Sequence, residues 1–175
     1  MKPFGTQLHI CCNTSERAFG ASAYYRADYV VDGVECLLIM AKSRFATLKQ
    51  LSISRLELQA ALMEARLAIL VLKYIKVEGE VFFCSDSQTT LQWLRVNDMI
   101  ILLFVAHRRT EILDSTQQKS WRHIPGELNP ADDLTSGIMA EHLLSSHRWF
   151  NGATFMQFSS RNVAASAQGS IAEER

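Results

Sequence analysis

Apolar residues fall into short blocks near the start of the chain and into one long, helically spaced run at its centre. Leu8 to Cys12 is a compact apolar run, Ala18 to Tyr25 alternates small and aromatic residues, and Val34 to Met40 is apolar enough for a buried strand. Asp32-Gly33 is a hairpin turn signal, so the three runs predict an antiparallel meander. Lys42 to Leu51 is polar and basic and reads as a loop. Ser54 opens a helix in which Leu56, Ala60, Met63, Leu67, Val71 and Ile75 recur near the helical period. Leu58, Leu62, Ala65, Ala68 and Leu72 widen the apolar face almost all round, so this helix is covered on most sides, with Gly79 as its stop. Val81 to Cys84 predicts a fourth strand, Gln88 to Val96 and Ile100 to Leu113 two further helices, and Ser120 to Ile124 a fifth strand. A last helix spans Pro130 to Leu144, with Asn129 as cap and Pro130 at its first position.

The order β-β-β-α-β-α-α-β-α predicts an α/β fold, a mixed five-stranded sheet with helices packed on it. Right-handed crossovers place the fourth strand beside the first, so residues 12–14 and 85–87 face each other across that junction. From Gln157 onward Ser, Ala, Gln and charge replace the periodic pattern, which predicts a disordered tail over residues 157–175. Residues 1–6 form a lead, 7–145 the domain and 146–156 a Trp-containing extension.

Composition narrows the function classes. The chain has 175 residues, 48% hydrophobic, and a formal net charge of zero, so nucleic-acid binding would need a local basic patch. Lys42, Arg44, Lys49 and Arg55 form one candidate and Arg108 with Arg109 another; each group also reads as a solvated face. Four cysteines at 11, 12, 36 and 84 lie in apolar runs with no C-x-x-C pair, the pattern of buried small hydrophobes in a reducing compartment. No signal-peptide core and no membrane-length apolar run is present, which predicts an intracellular protein, cytoplasmic or nuclear.

Three acids occupy well-marked places: Glu57 at the head of the long helix, Asp86 at the end of the fourth strand, and Asp132 in Asn129-Pro130-Ala131-Asp132-Asp133. Each has a structural reading. Ser54-x-x-Glu57 fits a capping box, Asp86 an N-cap, and Asp132 a helix-dipole partner. Together they fit a site for Mg²⁺ or Mn²⁺, which take oxygen ligands. Two such ions about 4 Å apart clamp the attacking water and leaving oxygen of a phosphodiester. His123 would assist proton transfer near such a site, or serve as a strand residue ahead of Pro125.

The ordered motifs then carry a resemblance. Met40-Ala41-Lys42-Ser43-Arg44, Arg55-Leu56-Glu57-Leu58, Ser85-Asp86-Ser87, Leu91-Gln92-Trp93-Leu94 and the run Trp121 to Asp132 (WRHIPGELNPAD) resemble the ribonuclease H domain of BEL/Pao-type retrotransposon polyproteins. Arg148-Trp149-Phe150-Asn151-Gly152 is similar to the Trp-rich segment after that domain, and the resemblance covers about residues 7 to 156. It implies the ribonuclease H-like fold, with strand order 3-2-1-4-5 and helices on both faces. It implies hydrolysis of RNA in RNA–DNA hybrids by two metal ions, in a domain natively joined to reverse transcriptase and integrase segments of a polyprotein. Glu57, Asp86 and Asp132 match three of the family's four metal-binding acids. The fourth position reads Cys12-Asn13-Thr14-Ser15, so Asn13 replaces the acid; Ser54 and Thr47 stand where relatives often have proline.

In the family the missing acid bridges both ions. An amide has one uncharged acceptor and an NH₂ donor, and cannot bridge two cations. The expectation is weak metal occupancy and impaired or lost hydrolysis. A non-catalytic nucleic-acid-binding module, using Lys42, Arg44 and Arg55, and an inactive element remnant are the alternatives. The chain begins close to the first strand, which favours a fragment of a decayed element.

Overall fold

The computed structural model describes residues 2–31, 33–46, 51–96, 103–144 and 147–158. Five strands and five α-helices follow in chain order, with short 3-10 turns between them: β1 (Gly5–Thr14), β2 (Ala18–Tyr29), β3 (Gly33–Phe45), α1 (Ile53–Leu72), β4 (Val81–Ser85), α2 (Gln88–Arg95), α3 (Leu103–Ser115), β5 (Trp121–His123), α4 (Asp132–Ser136) and α5 (Arg148–Asn151). The sheet order is β3-β2-β1-β4-β5, as expected. β1 pairs antiparallel with β2 and parallel with β4, and the register sets Cys12 against Ser85. The ends of β1 and β4 are therefore neighbours.

Side-chain alternation gives the sheet two different faces. Leu8, Ile10 and Cys12 of β1 join Ala21, Ala23, Phe83 and Trp121 in the larger core, under α1 and α3. The spacing of Leu58, Leu62, Ala65 and Ala68 sets one stripe of α1 on this face, and truncating Leu58 would cost about 2–5 kcal/mol. Cys11, Tyr24, Cys36 and Cys84 point the other way and pack with Ile124, Ala131, Ala153 and Met156. All four cysteines are free and buried.

Several boundaries differ from the sequence reading. β3 runs on through Lys42 to Phe45, because its ladder with β2 continues (Ala21 with Lys42, Phe19 with Arg44) and an edge strand tolerates outward charge. α1 stops at Leu72, well before Gly79. Gly79 instead passes so close to β1 that a Cβ there would lie 2.0 Å from the Thr6 carbonyl oxygen. The last helix is cut to Asp132–Ser136, because Gly137 at φ 86 turns the chain into the left-handed region. α3 is described over Leu103–Ser115; Ile100, Lys49, Thr47, Asp32 and the tail from 159 lie outside the described residues. Among the described residues no helix is long and apolar enough to cross a membrane.

The C-terminal segment is bolted to the second face. Arg26 and Asp28, both buried on β2, form a salt bridge at 2.6 Å. The Arg26 guanidinium also donates to the carbonyls of Met156 (2.8 Å) and Phe158 (2.7 Å). Tyr24 donates its hydroxyl to the Trp149 carbonyl at 3.1 Å. A buried charge is tolerable when paired and fully hydrogen-bonded, and here the pairing fixes residues 147–158 on the sheet.

Candidate functional site

The ends of β1 and β4, the start of α1 and the start of α4 converge on one polar cluster. Burial is the largest influence on Asp86 and raises its carboxyl pKa above the ordinary value. The charges of Glu57 and Asp132 add to that rise, while the backbone N–H of Asp86 and nearby His123 oppose it. Glu57, Asp132 and His123 are thus close enough for their charges to act on Asp86. Gly126 approaches it too, with a Cβ position 3.3 Å from Asp86 Oδ2.

The structural roles foreseen for the acids are taken by other groups. The N-cap of α1 is Ser52, with no side-chain bond, so the Ser54–Glu57 capping box does not form. Glu57 reaches across to the start of α2, where the Ser87 hydroxyl donates to its Oε2 at 2.7 Å. Ser87, not Asp86, caps α2 by accepting from the Thr90 N–H at 3.0 Å, which leaves Asp86 free of helix duty. Asn129 is not a cap either. It is fully buried, donates to the Cys12 carbonyl at 2.8 Å and accepts from the Ala131 N–H, so the β5–α4 loop is tied to the end of β1.

Asn13 faces Asp132. Its Nδ2 donates to Asp132 Oδ1 at 2.9 Å and to Thr135 Oγ1 at 3.0 Å. The Ser136 hydroxyl adds a third bond, to the same Asp132 oxygen, at 2.8 Å. The carboxylate dictates the amide's orientation, since a carbonyl oxygen turned toward it would be repelled. Sequence reasoning missed the contacts of Arg148. Its guanidinium grips Asp133 with two bonds of 2.9 and 2.8 Å and lies 3.7 Å from Asp132 Oδ2. The hydrogen bond to Asp133 raises the Arg148 pKa, so its charge is secure. No local sequence pattern links residues 132 and 148.

These contacts bear on the metal expectation. Among the described residues no three His, Cys, Asp or Glu side chains stand together as a ready-made metal-binding set. A bridging position needs a charged oxygen, and Asn13 turns an N–H toward Asp132 there. The residues present do not fit a two-ion centre, and no hydrolytic step follows from them.

The basic residues divide. Lys42 and Arg44 are exposed at the end of β3 and line, with Phe19, Phe45, Gln59 and Arg66, a cavity of about 260 Å³ beside α1. Arg55 lies over the Phe104 ring at 5.2 Å. Arg109 donates to the carbonyls of Trp93 and Val96, so it joins α3 to α2. His123 is exposed on β5 and borders a cavity with Gln88, Leu91, Gln92 and Arg95.

A five-stranded sheet in this order, with helices packed on it, is the ribonuclease H-like fold. Residues 2–87 match the family model of the Pao retrotransposon-like RNaseH-like domain, the family that the motif string resembles. Among solved structures the chain is similar to the N-terminal RNase H domain of a Mycobacterium tuberculosis protein. That match has 10% identity and a TM-score of 0.52, covering 75% of this chain and 92% of that one. It is also similar to RNase H1 from the halophilic archaeon Halobacterium salinarum, at 11% identity and TM-score 0.44, covering 74% and 92%. LC11-RNase H1, solved in complex with an RNA/DNA hybrid, matches at 14% identity and TM-score 0.38, covering 79% and 99%. No curated protein matches in sequence.

Proposed function

We propose that this chain is a ribonuclease H-like domain of retrotransposon origin that binds RNA–DNA hybrids and has lost two-metal hydrolysis. One observation carries the loss: Asn13 donates to Asp132 where the family's reaction requires an oxygen ligand shared by two cations. In the family that reaction uses Mg²⁺ or Mn²⁺ held by four acids, and this chain keeps three of them in Glu57, Asp86 and Asp132. Binding is supported by Lys42 and Arg44, exposed together at one strand end, with Arg55 in the first turn of α1. A hybrid read by shape and phosphate charge suits such a patch, because the chain has no net positive field to attract nucleic acid at long range. His123 then serves no proton transfer. The native setting is a polyprotein, with reverse transcriptase and integrase segments.

The test pairs two assays on the purified chain, with Asn13→Asp alongside. Fluorescence anisotropy with a labelled hybrid should show binding that weakens steeply as salt rises, and that Lys42→Glu with Arg44→Glu removes. Gel analysis of the same hybrid in Mg²⁺ should show no cleavage. Mg²⁺-dependent cutting by the unaltered chain at the level of the Asn13→Asp variant would overturn the loss. Absence of both binding and cutting would replace the reading with that of an inactive remnant.

A further inference from the structure

We infer that Arg148, acting with Asn13, is a built-in counter-cation that takes the place of a metal ion at Asp132. The inference rests on the reading of a disabled site and adds a second residue to it. Asp132 has both oxygens engaged by the protein itself: Oδ1 accepts from Asn13 and Ser136, and Oδ2 faces the Arg148 guanidinium at 3.7 Å. The neighbouring acid, Asp133, is held by Arg148 through two parallel bonds, the strong geometry for an arginine and a carboxylate. Asp132 and Asp133 carry two negative charges, Arg148 returns one positive charge, and Asn13 adds none. An aspartate at position 13 would set a third carboxylate about 3 Å from Asp132, an arrangement that needs a cation or a proton.

Arg148 is not a loose surface residue. It begins α5, in a segment held by Tyr24 and Arg26 of β2. It also donates to the Glu127 carbonyl in the loop ahead of α4. Gly152, four residues on, is closed in by Met156, Cys36 and Tyr24, where a Cβ would lie 2.8 Å from the Met156 sulfur. The guanidinium is thus delivered to the acidic cluster by packed backbone, and a divalent ion at Asp132 would have to approach against a fixed positive charge. Restoring the acid at position 13 leaves that charge in place.

Mn²⁺ binding, read by titration calorimetry and by electron paramagnetic resonance of the free ion, tests this on four proteins: the natural chain, Asn13→Asp, Arg148→Gln, and the double variant. The expected order is no saturable binding for the natural chain or Arg148→Gln, weak binding for Asn13→Asp, and binding at least about tenfold tighter for the double variant. Equal affinity of Asn13→Asp and the double variant would overturn the role of Arg148 while leaving the loss of hydrolysis intact. Saturable binding by the natural chain, as tight as that of the double variant, would overturn the disabled-site reading on which the inference rests. Asn13→Asp alone gives a second measurement that does not depend on the double variant folding. Its melting temperature should fall below that of the natural chain in metal-free buffer and stay low in millimolar Mn²⁺; full recovery in Mn²⁺ would refute the inference. Asn13→Asp with Arg148→Lys, which keeps the charge, should bind no tighter than Asn13→Asp. Binding as tight as that of the glutamine double variant would show that shape and not charge excludes the ion, and would refute it as well.

Discussion

On the β4 side of the acidic cluster, Glu57 meets one hydroxyl, and burial with the charges of Glu57 and Asp132 raises the Asp86 carboxyl pKa against the pull of its backbone N–H and His123. On the β1 side, Asp132 is met by an amide, a hydroxyl and a guanidinium, and its charge is largely answered. Each flank holds a carboxylate bonded to a serine hydroxyl, Glu57 with Ser87 and Asp132 with Ser136, and the Asp132 flank adds an amide and a guanidinium. The amide of Asn13 makes Asp132 a hydrogen-bond acceptor within the fold, and α4 and α5 supply its other two partners, Ser136 and Arg148.

The largest test of this contrast is stability. Asp132→Ala removes acceptors from Asn13, Ser136 and Arg148 at once, and Asn13 is only 8% exposed. The expected loss is about 2–3 kcal/mol, the range for charge-assisted bonds to a buried donor. Glu57→Ala removes one bond, from a hydroxyl that keeps Thr90 as a partner, and it also relieves repulsion on Asp86. Its cost should stay under about 1 kcal/mol. Urea melts of both variants decide the matter, and equal losses would erase the distinction between the flanks.

A smaller effect comes from beneath both flanks. Glu64 on α1 is fully buried, accepts from the Cys84 N–H at 2.8 Å, and lies beside the Cys12 thiol, so it ties β1 and β4 together from the apolar face. Its other oxygen has no hydrogen-bond partner. Burial raises its pKa well above the ordinary value, so the folded chain holds the proton more tightly than the unfolded chain. The stability it contributes is full below the unfolded carboxyl pKa and drains away as pH rises toward the folded value. Glu64→Gln keeps the shape and the acceptor and removes the titration. Relative to the natural chain, it should gain stability as pH rises above the ordinary carboxylate range, because the raised titration of Glu64 is gone. A pH-independent difference in denaturant melts would show that Glu64 is ionised in the fold, and that the flanks are joined by charge after all.

How much of this was legible in the sequence follows from the range of each interaction. The meander, α1 and the β1–β4 junction were readable because apolar periodicity and short connections are local signals. Glu57, Asp86, Asp132 and Asn13 were singled out through the motif string, although their local contacts were not legible: the capping-box pattern at Ser54 does not form, and Glu57 accepts from Ser87 instead. The last helix was overextended because a single glycine, Gly137, decided its end through a positive φ that neighbouring residues do not reveal. Arg148 was singled out in the Arg148–Gly152 motif, but its contact with the acids was not legible. Its contact with Asp132 and Asp133 depends on two turns and on anchoring by Arg26 and Tyr24, more than 120 residues away in sequence. The negative charge of the cluster could be read from the chain, but its compensation could be seen only in the fold.

The finest test concerns how freely Asp86 can move compared with Asp132. Gly126→Ala would place a methyl group 3.3 Å from Asp86 Oδ2, close enough that the carboxylate must give way by a few tenths of an ångström. Gly126 is one of the glycines without a positive φ, so alanine adds no backbone strain there. Restricting the unfolded chain would itself stabilise by about 0.4–1 kcal/mol, which should roughly offset the crowding. If Asp86 is held only by its neighbours' repulsion, it rotates aside and the net change stays within about 0.5 kcal/mol. Asp132, locked by Asn13 and Ser136, would have no such freedom. A loss above about 1.5 kcal/mol for Gly126→Ala in thermal and urea melts would mean that Asp86 is as tightly fixed as Asp132. The two flanks would then differ in charge but not in rigidity.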